Sequence, residues 1–273
     1  MIDWLTLEVD VAHAQHQFGS EITSVNPDGE VEWRQLRRKP VRGSFESNLH
    51  VRTIDVTPDG AGRRIEIDGN PAKWFQGHNV WGTDDLPGLA IATIERVTGL
   101  LGIEPTPLER ARWEAGHIRL RRVDINYSYE LRNIADVRAF IRAADQHAYM
   151  RHRGRGQLTK EGTLYFGKNS RRWSAKMYAK GDEMKVKGHR PHRSVYSPEL
   201  QAWADNKLRV EVVLRAIELK RIEKSHVSNW TRSTPAEVHA EKLRGLNMSE
   251  QIRLNAADLE GLSPRLVLAY HSW

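Results

Sequence analysis

Three segments of this 273-residue sequence carry polar side chains at every second position, so each would present them on one face of a β-strand. In WSAKMYAK, Lys176, Tyr178 and Lys180 alternate with small or apolar residues. The opposite face of each segment is apolar, which suits a sheet covered by helices on that side. The other two polar faces are that of RRVDINYSY, with Arg122, Asp124 and Asn126, and that of KLRVEVVLR, with Arg209 and Glu211.

The residue types on these faces predict chemistry on a phosphodiester. Two carboxylates on one sheet face, Asp124 and Glu211, would hold a hard divalent cation, and such a metal can polarise a phosphodiester. A phenol with a pKa of about 10 is a poor nucleophile at neutral pH, but cations beside Tyr178 would favour its phenolate. Lys176 or Lys180 could also neutralise a phosphate oxygen. These are the parts needed by a tyrosine that attacks DNA and remains attached to it.

A structural alternative accounts for the same pattern. Polar strand faces are often simply solvated in antiparallel sheets, and tyrosine is common in strands where it only packs. Under this alternative, Asp124 forms a salt bridge to Arg122 or Arg209. Glu211 is explained in the same way, and the sequence leaves both explanations open.

Positive charge is concentrated in one part of the chain. The net charge is +7 and the pI about 9.7. Residues 147–194 contain 13 Lys and Arg against 3 Asp and Glu, a local balance of +10 that exceeds the total. Such a zone predicts a polyanionic partner, most simply nucleic acid, and the alternative is a solvated basic face. The turn GKNSRR lies within it, and we expect Lys168, Arg171 and Arg172 to contact phosphates there.

Composition excludes other classes of site. The sequence has no cysteine, so disulfides and thiolate-bound metals are excluded. No run of 18 or more apolar residues is present, so we expect no membrane-spanning helix.

The pattern of elements predicts an α+β fold, with a mostly antiparallel central sheet and helices packed on one face. The opening, through about residue 67, reads as a β-meander whose first strand slips near Trp4. The predicted helices and strands after it are helices from 83 or 84 to 101, 107–115, 133–149 and 197–206, and strands 118–129, 163–166, 173–180 and 207–215.

After Lys224 the chain changes character. A polar connector leads to a helix that opens at Thr234, and a second helix runs from Ser263 to Trp273 without a cap. We therefore expect a catalytic domain over residues 1–224 and a helical C-terminal appendage over 225–273. The uncapped end favours either a naturally short chain or a truncated one.

The chain resembles the gene II replication initiators of filamentous bacteriophages from Met1 to about His226. QGHNVWGT is the most specific match, and TLYFGKNSRRWSAKMYAKGDEM is also similar to rolling-circle plasmid initiators. Members of the family continue beyond the point where this chain ends, which supports truncation. The segments that carry the resemblance are NPAKWFQGHNVWGTDDL, RRVDINYS, SAKMYAKGDE and LRVEVVLRAIELKRIEK.

The resemblance implies a role for individual residues. Tyr178 falls at the position of the nucleophile. The spacing of the flanking lysines, and not the resemblance, predicts Lys176 as a DNA contact and Lys180 as a catalytic aid or a phosphate contact. Asp124 and Glu211 fall where such initiators carry acids suited to Mg²⁺ or Mn²⁺, and His78 of QGHN is a candidate third ligand. A histidine in such a turn also often only hydrogen-bonds the backbone. The sequence departs from many rolling-circle nucleases because it has no His-x-His triplet.

The resemblance also implies the overall activity. Such initiators nick the viral strand at the origin of double-stranded replicative-form DNA, become linked through tyrosine to the 5′-phosphate, and later rejoin the displaced strand. The expected partners are phage or plasmid origin DNA, duplex and single-stranded, with host helicase and polymerase, in the bacterial cytoplasm and away from membranes. Two alternatives remain: a non-catalytic DNA-binding module, and a metal-dependent nuclease in which water attacks.

Overall fold

The computed structural model describes residues 1–14, 16–186, 188–247 and 263. Its strands are β1 Ile2–His13, β2 Glu21–Val25, β3 Val31–Leu36, β4 Lys39–Arg42, β5 Asn48–Val56, β6 Gly62–Gly69, β7 Arg119–Glu130, β8 Tyr149–Met150, β9 Gly154–Arg155, β10 Gln157–Leu158, β11 Leu164–Phe166, β12 Trp173–Ala179, β13 Lys207–Arg215 and β14 Leu246–Asn247. Its α-helices are α1 Pro71–Gln76, α2 Leu86–Leu101, α3 Pro107–Glu114, α4 Ile134–His147, α5 Lys180–Glu183, α6 Pro198–Asp205, α7 Ala216–Arg221 and α8 Thr234–Leu243, with a 3₁₀ turn at Val227–Asn229.

The chain divides into two compact units. The first comprises Met1–Ile125, Pro191–Val195 and Leu214–Pro235. The second comprises Asn126–Arg190, Tyr196–Val213 and the described residues from 236 onward. Strands β7 and β13 contribute residues to both units.

The first unit is built on β1, which pairs antiparallel with β6 and with β7. Beyond β6 the strand order continues through β5 to β4. Leu7 and Val9 of β1 are buried, and α1, α2 and α3 all contact this strand. Burial of each such aliphatic side chain contributes roughly 1.5–3 kcal/mol. The pairing with β7 shifts register between Ile2 and Trp4, where the sequence predicted a slip.

Local signals explain where the helices of the first unit begin and end. Asp85 caps α2 by accepting from the backbone N–H of Gly88, and Gly102 ends that helix in the left-handed conformation. The predicted start at 83 or 84 was therefore slightly early. Thr106 and Glu109 form a reciprocal capping box at the start of α3.

The second unit contains the strand order β10, β11, β12, β13 and the end of β7. Strands β10, β11 and β12 form an antiparallel meander. Helix α4 contacts β12, and Asn133 caps α4 by accepting from the backbone N–H of Asp136. Helix α8 approaches β13 closely enough for the His239 ring to hydrogen-bond the carbonyl of Val210 at 3.1 Å.

The structure confirms the predicted α+β class with its mostly antiparallel sheet. The prediction missed α1 because PAKWFQ lies in a stretch rich in glycine and turn residues, and it also missed α7. The helix predicted at Thr234 is present as α8. The helix predicted from Ser263 lies outside the described residues, and the division at residue 224 stays a prediction. Among the described helices, none has the length and apolar character of a bilayer span.

Candidate active site

The pairing of β11 with β12 places the side chains of the two strands on two faces of the hairpin. Leu164 lies opposite Met177 and Phe166 opposite Ala175, and all four are buried. The intervening pair places Tyr165 opposite Lys176 on the other face. Because side chains alternate along a strand, Tyr178 lies on the same face as this pair.

Tyr178, Lys176 and Glu211 form a cluster in the second unit. The Tyr178 hydroxyl donates to Oε2 of Glu211 at 3.3 Å. The Lys176 ammonium lies 2.8 Å from Oε1 of the same carboxylate and 5.5 Å from the centre of the Tyr178 ring. Glu211 is therefore shared between the phenol and the ammonium, and Lys176 is close to both other members. This cluster holds a proton acceptor and a cation beside one hydroxyl.

The cluster is mostly withdrawn from solvent. Glu211 is 1% exposed and Tyr178 is 6% exposed, whereas the Lys176 side chain is 25% exposed. Glu211 therefore does not lie on a solvated face, because every residue of β13 from Lys207 to Leu214 is buried. It forms an ion pair, as the structural alternative predicted, but its partner is Lys176. A buried carboxylate needs compensation, which the ammonium of Lys176 provides.

Lys180 does not continue the strand row as predicted. Strand β12 ends at Ala179, and Lys180 begins α5. Its side chain is completely buried, and its ammonium lies 2.7 Å from the carboxylate of Glu183. Burial by itself would raise the pKa of Glu183, but the charge of Lys180 and the hydrogen bond from His189 hold that pKa at about 2. Lys180 is thus half of a buried ion pair directly after the tyrosine strand.

The basic turn predicted between the hairpin strands is present and exposed. Lys168, Arg171 and Arg172 are all exposed around it. The ammonium of Lys168 lies 5.1 Å from the centre of the Tyr165 ring, and the guanidinium of Arg153 lies 4.6 Å from that of Trp173. Cations above exposed or half-buried aromatic rings are suited to contacts with both phosphates and bases.

Asp124 lies in the first unit and is bound by an arginine of its own strand. Nε and one terminal nitrogen of Arg122 donate to its two carboxylate oxygens at 2.7 and 2.6 Å. Asp124 is 2% exposed whereas the Arg122 side chain is 37% exposed, so this is a partly buried, bidentate and charge-assisted pair. The guanidinium of Arg215 is also near: its pKa is lowered by burial and by Arg122, and Asp124 opposes that shift. The salt bridge to Arg122, one of the two explanations left open, is therefore present.

His78, also in the first unit, makes the backbone contact expected of a turn histidine. The N–H of Val80 donates to its Nδ1 at 3.3 Å, and its ring meets that of Trp81 edge-on at 4.7 Å. His78 is buried. The hydrogen bond at Nδ1 and the edge-on contact with Trp81 together set the orientation of the His78 ring.

The side chains predicted as metal ligands do not form a recognisable centre. Across residues 1–14, 16–186, 188–247 and 263, no group of three or more His, Asp or Glu side chains is arranged to hold a metal ion. Asp124 and Glu211 each have a cation within 2.8 Å. In the arrangement described here these residues do not fit a divalent cation, and their role as ligands stays a prediction.

Glu183 and His189 are the residues of this region that sequence reasoning missed. The signal was available in KGDE, where Lys180 and Glu183 have the i,i+3 spacing of neighbours on a helix. Because Lys180 was predicted to lie in a strand, its helical spacing to Glu183 did not predict a contact. His189 lies 3.0 Å from Glu183 and has no local sequence signal that predicts this contact.

An α+β protein that holds a tyrosine against a lysine and a glutamate, and that has an exposed basic turn before the same strand, has the features of a protein that acts on DNA. A family model for the N-terminal part of the phage replication-associated protein, the gene II product, matches residues 1–233. The replication-associated protein of this kind from Enterobacteria phage I2-2 is 41% identical over 276 residues, which cover 100% of this chain and 79% of that protein. The chain belongs to this family of phage replication-associated proteins.

A solved structure of a rolling-circle replication initiator protein from Geobacillus stearothermophilus also aligns with the chain. The alignment covers 100% of this chain and 95% of that one, at 14% identity and a TM-score of 0.41. The resemblance found in the sequence motifs is confirmed by the family match and by the phage relative.

Proposed function

We propose that this protein nicks one strand of origin DNA with Tyr178 as the nucleophile. Rolling-circle initiators are in general nicking and strand-transferring enzymes, and they generally use a divalent metal. The observation that carries the assignment to Tyr178 is its hydroxyl, which donates to the buried carboxylate of Glu211 while Lys176 lies against both.

The proposed step forms one bond and breaks one. The Tyr178 oxygen attacks the scissile phosphorus, and its proton passes to the carboxylate of Glu211. The bond from phosphorus to the 3′-oxygen breaks, and that oxygen leaves as a 3′-hydroxyl after taking a proton from water. The 5′-phosphate remains attached to the tyrosine, and attack by a 3′-hydroxyl on this phosphotyrosine reverses the step and joins a strand.

Lys176 links DNA arrival to activation of the tyrosine. A phosphate oxygen competes with Glu211 for the ammonium of Lys176, which is the most exposed member of the cluster. As Lys176 shifts toward the phosphate, the carboxylate loses its cation and becomes a stronger acceptor for the phenolic proton. Because Tyr178 is 6% exposed, binding of DNA must also make its hydroxyl accessible.

The remaining predicted roles form part of the same proposal. Lys168, Arg171 and Arg172 contact phosphates of the duplex or single strand, and they position the DNA without reading its sequence. Lys180 acts through its pair with Glu183 by fixing the end of the tyrosine strand. Asp124, Glu211 and His78 are the candidate ligands of Mg²⁺ or Mn²⁺, and the two carboxylates would hold the metal only after releasing their present partners, Arg122 and Lys176. The protein acts with host helicase and polymerase in the bacterial cytoplasm.

Covalent trapping tests the proposal directly. Origin single strand, labelled at either end, is incubated with the protein and Mg²⁺ or Mn²⁺ and run on a denaturing gel. The 3′-labelled product should migrate as a protein adduct, whereas the 5′-labelled product should be released as free DNA.

A matched pair of tyrosine variants identifies the nucleophile. Tyr178→Phe should lose the adduct, and Tyr165→Phe, on the same face of the adjacent strand, should keep it. Nicking that survives Tyr178→Phe without an adduct would identify a nuclease that uses water. Binding without any cleavage by the unaltered protein would identify a non-catalytic DNA-binding module.

A further inference from the structure

The first unit contains a cavity of about 210 Å³ between the end of β4, α1 and α2. It has no residue in common with the Tyr178 cluster. Its wall includes Trp74 and Phe75 of α1, and its mouth carries Arg42 of β4 and Arg96 of α2. No carboxylate lines it among the described residues. The combination of aromatic rings and cations suits a ligand with a flat ring and a negative charge.

The aromatic wall is held in a fixed position. Trp74 is 2% exposed, and its indole N–H donates to the carbonyl of Val41 at 3.1 Å. Gly43 packs so closely against it that an added Cβ would lie 2.5 Å from the Trp74 ring. Phe75 meets Trp74 edge-on at 5.0 Å and is itself 38% exposed. An exposed aromatic side chain backed by a buried tryptophan is a preorganised stacking surface.

The two arginines at the mouth are available to a phosphate. Arg96 is exposed, and no carboxylate in the described part of the chain forms an ion pair with it. Arg42 donates to Glu46 at 3.1 Å, but both side chains are more than 60% exposed. Exposed pairs of this kind contribute little, so a phosphate can replace Glu46 at small cost.

We propose that this cavity binds one nucleotide of single-stranded DNA, with its base against Phe75 and its backbone phosphate at Arg96 and Arg42. The inference rests on the proposed function, because a protein that nicks an origin must handle an unpaired strand. It adds a second contact with that strand, in the first unit, which is sequence-tolerant because every base has a stacking face.

Binding is measured without chemistry, in Tyr178→Phe protein, by fluorescence anisotropy of a labelled oligothymidylate. Phe75→Ala should weaken binding by about 5-fold or more, the effect expected from loss of one base stack. Phe75→Tyr should restore it. Arg96→Gln should lower the slope of log affinity against log salt by about 0.7, the value for one phosphate contact of a single strand. Arg110→Gln, which removes an exposed arginine of α3, is the matched control and should leave that slope unchanged.

Three results would overturn the inference. The first is a Phe75→Ala protein that binds the oligomer as its parent does while retaining its melting temperature. The second is an equal decrease in the slope of log affinity against log salt for Arg96→Gln and Arg110→Gln, which would show general charge attraction only. The third is binding of thymidine monophosphate as tight as that of the oligomer, which would show a site for a free nucleotide. If the proposed function is wrong, the unaltered protein forms no covalent adduct on the denaturing gel, and this result is independent of the binding measurement.

Discussion

Replacing Glu183 by glutamine tests the buried ion pair that follows the tyrosine strand. Lys180 is completely buried, and the Glu183 side chain is only 16% exposed. Lys180 and His189 outweigh burial and lower the pKa of Glu183 from 4.5 to about 2. That difference corresponds to about 3 kcal/mol of stability at neutral pH. Because the ammonium of Lys180 stays buried without this carboxylate, Glu183→Gln should cost at least about 3 kcal/mol.

The sign of the pH dependence follows from the direction of this shift. The pKa of Glu183 is lower in the folded protein than in the unfolded chain, so the stabilisation is present in full above the unfolded pKa. It is lost as the pH falls through about 4.5 toward 2. At pH 3 the difference between the unaltered protein and Glu183→Gln should be less than about half of its value at pH 7.

Urea denaturation followed by circular dichroism at pH 7 and pH 3 measures both quantities. Glu104→Gln removes an exposed carboxylate and serves as the control, for which we expect a change within about 0.5 kcal/mol. Replacing both Lys180 and Glu183 by methionine should recover much of the loss, since no buried charge is left. A change below about 0.5 kcal/mol in Glu183→Gln at pH 7, or one equally large at pH 3, would show that the ionised Glu183 does not stabilise the fold through this pair.

Four further predictions concern the base, the basic turn and two glycines. Glu211→Gln keeps the shape of the side chain but removes the proton acceptor. The initial rate of adduct formation should therefore fall at least about 100-fold, while the affinity for the DNA strand changes far less. An unchanged rate would exclude Glu211 as the base. Arg171→Gln and Arg172→Gln should each lower the salt slope of duplex binding by about 0.9 and change melting temperature little, which titrations at several salt concentrations would show. Gly116→Ala should destabilise by about 2 kcal/mol or more in thermal melts, because φ is 77° and a Cβ would lie 2.5 Å from a neighbouring backbone nitrogen. Gly99→Ala, in a helix with open space around it, should instead stabilise by up to about 1 kcal/mol.

Much of the local structure could be predicted because it depends on neighbours in the chain. Alternation along WSAKMYAK located the strand that carries Tyr178, and the turn GKNSRR located the hairpin. Thr106-Pro107 and Ser197-Pro198 are helix starts that can be identified from capping chemistry alone. The family could also be identified from the sequence, because its motifs are contiguous segments that follow one another along this chain.

The strand face of Tyr178, the basic turn and the family could be predicted from the sequence, since each depends on residues within short segments. The partner that each charged side chain takes depends on the tertiary structure. Glu211 meets a tyrosine 33 residues away, and Asp124 is bound by Arg122 of its own strand. Lys180 turns from the strand row into a buried pair with Glu183. A buried carboxylate can form an ion pair only with a cation that lies next to it in the folded protein. Strand register and the positions at which helices begin decide which cation that is.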